Sequence, residues 1–415
     1  MKLLIDTRPL RSSPHFRRVW VGNVLSMVGG QLTVVAVLYQ TWELTADPVA
    51  VGAIGLAQAV PLVLMGQVGG VLADAVDRRR LVVATSLGQV VVTALLAAQA
   101  FAGLGSLAVL LGLVALQSAG AALGTPARRT FAARLLPADQ IGAGLALINL
   151  GFHVSLLVGP AIAGFVVAGW GTGACYAVNA LTFFASLYGV LRLPPLPPDG
   201  TAARPGLRAV VAGWRFIVSR PVLAGAFLTD LIATVLAMPI SLFPVVNAEQ
   251  FGGDPQTLGL FLSAIAVGGI TAGLASGMAT RSRRPGRVML VAAGMWGLAL
   301  AAFGWAPSVW LALACLAVAG AADTISVISR GALVQLVTPD DYRGRVSAVE
   351  DVVGMAGPHL GNFRAGLVAG ATSAGVAAVS GGVLCVLGVA AVAVVTPALR
   401  RPVRPGKPHS SPVGP

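Results

Sequence analysis

The sequence predicts an all-α membrane protein of twelve transmembrane helices arranged as two six-helix repeats. Three observations carry that prediction. Of 415 residues, 56% are hydrophobic and only 10% are charged, where a soluble domain carries about 25% charged residues. Apolar runs long enough to cross a bilayer, about 20 helical residues each, recur along the whole chain. Segments of the first half reappear in the second at matching positions.

Taken in order, the first run (roughly 19–41) follows the basic, Pro-containing leader MKLLIDTRPLRSSPHFRR. That leader has no short apolar region with a small-residue cleavage site, so the first helix is expected to be retained. The second, third and fourth runs (48–72, 81–102 and 105–125) surround the loop GGVLADAVDRRRL and lead into ARRTFAARLLPADQIGAG. The fifth (140–168) is wide and must begin on the inner side. The sixth (173–192) opens into the longest connection, RLPPLPPDGTAARPGLRAVVAGWRFIVSRP, Pro-rich at its start and amphipathic toward its end. The seventh to tenth runs (222–246, 256–279, 288–305 and 309–329), the wide eleventh (345–371) and the twelfth (374–396) complete the set. Their Gly, Ala, Val and Leu content suits closely packed membrane helices, and the alternation of a membrane β-barrel is absent. The expected organisation is an inner segment 1–18, a six-helix half 19–192, a linker 193–221, a second half 222–396 and a tail 397–415.

A net charge of +13 raises nucleic acid as a partner, but the placement of the basic residues argues against it. With the N-terminus inside, 27 of the 28 Lys and Arg residues fall on inner segments, and the outer loops hold none. This is the positive-inside distribution of an inner or plasma membrane protein with both termini cytoplasmic. The exception is Arg364, within the eleventh run. Cys175, Cys315 and Cys385 are isolated, with neither metal-ligand spacing nor an evident disulfide partner, and read as packing residues. His15, His153, His359 and His409 are scattered, so no metal or nucleophile constellation marks an enzyme. A Gly-rich phosphate loop ending in Lys and Ser or Thr is also absent, which argues against a nucleotide-driven pump. No cofactor is expected beyond a proton gradient.

ARRTFAARLLPADQIGAG aligns with SRGALVQLVTPDDYRGRV, pairing Arg128 with Arg330, Pro137 with Pro339, Asp139 with Asp341 and Gly142 with Gly344 at a spacing of 202. GPAIAG then aligns with GPHLGN, so Gly159-Pro160 corresponds to Gly357-Pro358 at a spacing of 198. Pro160 removes a backbone hydrogen bond and its small neighbours permit close approach, so both copies read as bending contact helices. In TPDD, Thr338 reads as an N-cap with Pro339 at the first helical position and Asp341 as its capping-box partner.

The loop GGVLADAVDRRRL resembles the loop signature of the major facilitator superfamily. Gly70, Asp74, Arg79 and Arg80 match it, while Ala75 and Asp77 replace a basic residue and a glycine. In ALINLGFHVSLLVGPAIAGF, Gly159, Pro160 and Gly164 match the Gly-rich antiporter signature of that superfamily, with Ala146, Ser155 and Ala163 standing where glycine is usual. Longer stretches, among them FRRVWVGNVLSMVGGQLTVVAVLYQTWELT, FLTDLIATVLAMPISLFP and LGNFRAGLVA, are similar to its enterobactin exporter group. The chain departs from that group at Pro358–Asn362, where an acidic run is usual, and lacks a proline before Tyr39-Gln40. The resemblance implies that the first, fourth, seventh and tenth helices line a central cavity, that the second, fifth, eighth and eleventh join the halves, and that the chain works as a monomer.

Against that arrangement, Asp230 and Asp323 are the proton-coupling candidates, about 10–15 Å in from the cytoplasmic surface and in one layer by helical rise. The alternative is a pair of hydrogen-bonded structural aspartates. Substrate-cavity candidates are Asn23, Gln31, Gln117, His359 and Arg364, with Gln40, Ser118, Thr229, Thr234, Thr324 and Ser326 as further polar positions. Each of these also suits an ordinary interhelical hydrogen bond. His153 reads as a packed polar residue, and Arg364 as a cation that needs a carboxylate, carbonyl or water partner. The expected function is secondary active transport, a proton-coupled antiporter exporting a small amphiphile such as a siderophore or lipophilic drug. An importer, or a non-transporting receptor or scaffold of the same fold, is the alternative.

Overall fold

Helix starts follow the local chemistry of the chain. In this computed structural model, residues 6–197, 207–275 and 282–402 are described; Lys2, Arg204, Arg281, Arg404, Lys407 and His409, and the side chain of Arg208, lie outside the described residues. Helices are numbered here to match the twelve expected spans. Ser13 caps α1 (Pro14–Thr45), Asp47 caps α2 (Pro48–Ala75), Asp77 caps α3 (Arg78–Phe101) and Ser106 caps α4 (Leu107–Arg129), each accepting a hydrogen bond from an N–H of the first turn. Asp254, Ser308 and Ser373 do the same for α8 (Pro255–Leu274), α10 (Val309–Val337) and α12 (Ala374–Val395). Proline at the first position of α1, α2 and α8 presets the backbone dihedral without losing a bond.

α5 (residues 141–170) and α6 (residues 172–191) meet at Gly171, whose φ of 78° and ψ of 176° turn the chain sharply in a conformation open to glycine. α7 is broken. Its inner piece (Pro221–Ala237) stops before Met238-Pro239, because Pro239 has no N–H and pushes Met238 to an extended ψ of 121°. A short turn at Ile240–Leu242 then leads to the outer piece, Phe243–Gln250. α9 (Pro285–Gly304) and α11 (Asp340–Ala371) complete the set.

Among the described residues, ten helical segments are long and apolar enough to cross a membrane. One of them, Ala138–Leu191, holds both α5 and α6, and α11 adds the twelfth crossing although acidic and basic residues dilute its apolar character. The expected N-cap at Thr338 is not formed. Thr338 ends α10, and α11 starts at Asp340 after Pro339 without a side-chain cap.

The helices α1–α6 pack chiefly on one another, as do α7–α12, and the two sets meet where α2 runs along α11 and α5 along α8. In lipid, close packing replaces water exclusion as the force between helices, so glycine sits at these contacts. A Cβ at Gly52 would meet Gly366, one at Gly55 would meet the His359 carbonyl, and one at Gly259 would meet the Pro160 carbonyl. All of these lie toward the end remote from the termini. A helical turn inward of Ser263, whose hydroxyl donates to the Leu157 carbonyl at 2.8 Å, Val267 and His153 are already exposed, and Gly66 and Gly354 have open space before them. The halves therefore diverge toward the arginine-rich end. There an exposed pair, Arg129 of α4 with Asp351 of α11 at 3.2 Å, still links them.

Each half is locked at the end remote from the termini. Phe243, Phe251, Phe261 and Phe303 stack edge to face with centroids 5.5 to 5.8 Å apart, tying the outer piece of α7 to α8 and α9. In the first half Gln40 and Gln99 exchange amide hydrogen bonds of 3.1 Å, and the Tyr176 hydroxyl donates to Gln40 at 2.8 Å. Gln40 is thus a buried helix tie, not a cavity residue.

Candidate functional site

Arg330 is the centre of the most charged site within the bundle. Its guanidinium pairs with Asp230 of α7, and Glu350 of α11 lies 3.6 Å from its Nε. The side chains are 10%, 14% and 33% exposed for Arg330, Asp230 and Glu350, so three helices share one largely buried charge cluster. Asp323 lies seven residues before Arg330, on the same face of α10 by helical periodicity, and is exposed. The charges of Asp230 and Arg330 both act on it.

Two expectations change here. Asp230 is level with Arg330, and Asp323 stands about 10 Å further out along α10 by helical rise, so the aspartates do not share a layer. Arg330, counted with the inner loop because the tenth run was expected to stop at 329, lies inside a helix that continues to Val337. Its repeat mate Arg128 also points inward, donating to Ser86 at 2.6 Å and Ser186 at 3.3 Å. Hydroxyls serve the first half where carboxylates serve the second. Glu350 escaped the sequence reading because nothing local distinguishes it from the acids beside it on α11.

The stretch GPHLGNFR of α11 clasps the broken helix. Arg364 donates to the Leu236 carbonyl, one of those left without an N–H partner where α7 stops. Asn362 accepts from the Ser241 N–H at 3.1 Å, and its carbonyl accepts from the Ser241 hydroxyl at 2.7 Å. A Cβ at Gly357 or Gly361 would meet Thr234. Gly357 therefore serves α7 rather than the other half. Its counterpart Gly159 similarly faces Gln31 and Val28 of α1, which is unbroken, while Pro160 and Gly164 carry the contact with α8. Arg364 thus has the carbonyl partner its position demanded, and Gln31 is packed. His359 is half-buried beside α2, its Nδ1 without a partner.

Other positions divide in the same way. Asn23 and Met27 lie on the face of α1 left over from its contacts with α5 and α6, the face where Gly30 has no neighbour. Gln117 is half-buried, on the stripe of α4 that runs through Ala121 and Thr125 toward Arg129. Ser118 donates to the Gln58 carbonyl at 2.8 Å, Thr229 to Gly225 at 2.7 Å and Thr234 to Asp230 at 2.8 Å, all structural bonds. His153, expected to be packed, is exposed and sits edge-on to Phe152, two turns inward of Pro160 on the same stripe. In the loop after α2, Asp77 accepts from the Arg80 and Leu196 N–H groups at 2.9 and 2.7 Å, and Arg79 donates to the Leu191 carbonyl at the end of α6. Asp74 and Gly70 are half-buried at the end of α2, where Gly69 makes the close approach to α4.

Two six-helix halves that meet along α2/α11 and α5/α8, diverge at one end and hold charge within the bundle are the architecture of a membrane transporter built from two repeats. The chain belongs to the transmembrane secretion effector family of the major facilitator superfamily, whose model matches residues 6–403. It is 28% identical over 399 residues to the enterobactin exporter EntS of Citrobacter koseri, covering 93% of this chain and 92% of that one. The EntS of Escherichia coli O139:H28 is 27% identical over 400 residues, covering 93% of each. Among solved structures, the nucleoside transporter NupG superposes with TM-score 0.71 at 14% identity, covering 93% of this chain and 98% of that one. A bacterial homologue of the iron transporter ferroportin in an inward-facing state gives 0.68 at 15% identity, with the same coverage. These structural likenesses speak for the fold.

Proposed function

We propose that the chain is a proton-coupled antiporter that exports a small amphiphilic molecule, a siderophore or a lipophilic drug, across an inner or plasma membrane with both termini in the cytoplasm. Arg330, held between Asp230 of α7 and Glu350 of α11, carries this reading. A guanidinium inside a membrane bundle needs a polar partner, and here two carboxylates from different helices supply it. Loss of the Asp230 charge would leave Glu350 as the carboxylate facing Arg330, so that α10 shifts its hold from α7 to α11. Asp323, exposed two turns outward, is the site that exchanges protons with the gap between the halves. Substrate sits against Asn23, Gln117 and Asp323, and the gradient supplies the energy of reset.

Export is supported by the exporter names of the relatives and by the Gly159-Pro160 and Gly164 contact of α5. The basic residues of the inner segments support the orientation. Enterobactin and a lipophilic dye cation are the two probes for the test. Cells lacking the chain should retain more of the transported probe than cells expressing it. Less probe inside would mean an importer, and no change with either probe would mean a receptor or scaffold. In inverted membrane vesicles, Asp230→Asn and Asp323→Asn should each lose pH-gradient-driven uptake; full uptake by both variants would overturn the coupling role.

A further inference from the structure

The inner ends of α9 and α10 part to leave a groove of about 710 Å³ on the second half. Small residues make the gap, since Ala292 of α9 faces Ala321 and Ala322 of α10 across its floor. Its walls are apolar and largely exposed, with Val291, Met295 and Val318 chief among them. Its mouth carries Arg283, Arg284 and Arg287, all exposed. None of these arginines forms an ion pair with a described carboxylate. Asp323 and Arg330 project from a different face of α10, so the groove is separate from the charge site between the halves.

The two ends of the groove demand different chemistry in one molecule. A free phosphate would satisfy the arginines and leave the apolar walls uncovered, and a hydrocarbon alone would do the reverse. From Arg284 to Met295 the groove runs eleven residues, about 16 Å at helical rise, which matches the roughly 15 Å of hydrocarbon in one leaflet. Guanidinium groups bind phosphate in a bidentate manner, and clusters of them at a membrane surface attract anionic headgroups. We infer that this groove is a binding site for one anionic phospholipid of the inner leaflet, its phosphate on Arg283, Arg284 and Arg287 and its chains against Val291, Met295 and Val318.

The test uses full-length protein in phosphatidylcholine micelles with a trace of phosphatidylglycerol carrying a photoreactive group in its acyl chain, and the cross-linked peptides are mapped by mass spectrometry. Phosphatidylglycerol should label the α9 and α10 walls above the rest of the surface, and the same probe with a phosphatidylcholine headgroup should not. In the triple variant Arg283→Gln/Arg284→Gln/Arg287→Gln the labelling should fall by about a hundredfold, given a contribution near 1 kcal/mol per arginine. Equal labelling by the two headgroups in the unaltered protein would overturn the inference, as would labels spread evenly over the bundle or a triple variant that labels like the parent. The headgroup comparison needs no substitution, so a poorly folded variant does not blunt it.

Discussion

Arg330 faces carboxylates from two other helices, Asp230 of α7 and Glu350 of α11, in a cluster that is mostly removed from solvent. Breaking such a pair from one side leaves an uncompensated charge, at about 3–5 kcal/mol, whereas removing both partners is often near neutral. Arg330→Leu leaves Asp230 and Glu350 without a cation and should lower the thermal midpoint in detergent sharply, whereas Asp230→Leu, which leaves Glu350 on Arg330, should lower it less. Equal midpoints for the two variants would argue that Glu350 does not hold Arg330. Arg364→Leu strips the Leu236 carbonyl of its donor, a loss of about 1–3 kcal/mol, visible in the same thermal scan. Arg364 shows how much of the site was legible. Its position alone demanded a polar partner. The partner is a main-chain carbonyl freed by the break in another helix at Pro239, and what the sequence does not show is that α7 lies alongside Arg364.

Glycines at helix crossings decide how the halves meet. Gly259 sits against the Pro160 carbonyl and Gly52 against Gly366, where a larger side chain has no room. Gly259→Leu should force α5 and α8 apart at the outer end and expose the cavity to that side. A cysteine in place of Asn23, labelled from outside by a membrane-impermeant maleimide, would then react faster than in the Gly259 background. Gly112→Leu is the control, because that position has nothing near it. An unchanged rate in the Gly259 variant would mean that the outer contact is not a gate. The twelve helices and the Gly159/Gly357 correspondence were legible from apolar periodicity and the repeat, whereas the one cap read from the sequence, Thr338, is not formed. The length of α10 and the role of Gly357 toward α7 were not legible, because they depend on which helix lies alongside, and the break in α7 went unread although Pro239 marks it locally.

At the scale of the molecule, the two halves share one order of six helices and differ in chemistry. Arg128 rests on Ser86 and Ser186, whereas Arg330 is shared by two acids and has Asp323 two turns further out, so the carboxylates of this layer lie in the second half. The outer ends are packed shut around glycine and phenylalanine while the inner ends diverge, the arrangement of a carrier open on its arginine-rich side. In the proposed coupling, a proton binding at Asp230 or Asp323 would act on α7 and α10, and through Glu350 on α11, the helix that packs against α2 of the first half. Coupling by that route predicts that charge removal uncouples transport without abolishing substrate exchange. The most direct measurement is flux of labelled enterobactin, or of the lipophilic cation if that is the transported probe, into proteoliposomes with and without an acid interior. The account predicts faster uptake under the gradient for the parent protein, and for Asp230→Asn exchange at the gradient-free rate with no acceleration. Equal acceleration in parent and variant, or no gradient-driven flux of either probe in the parent, would contradict it.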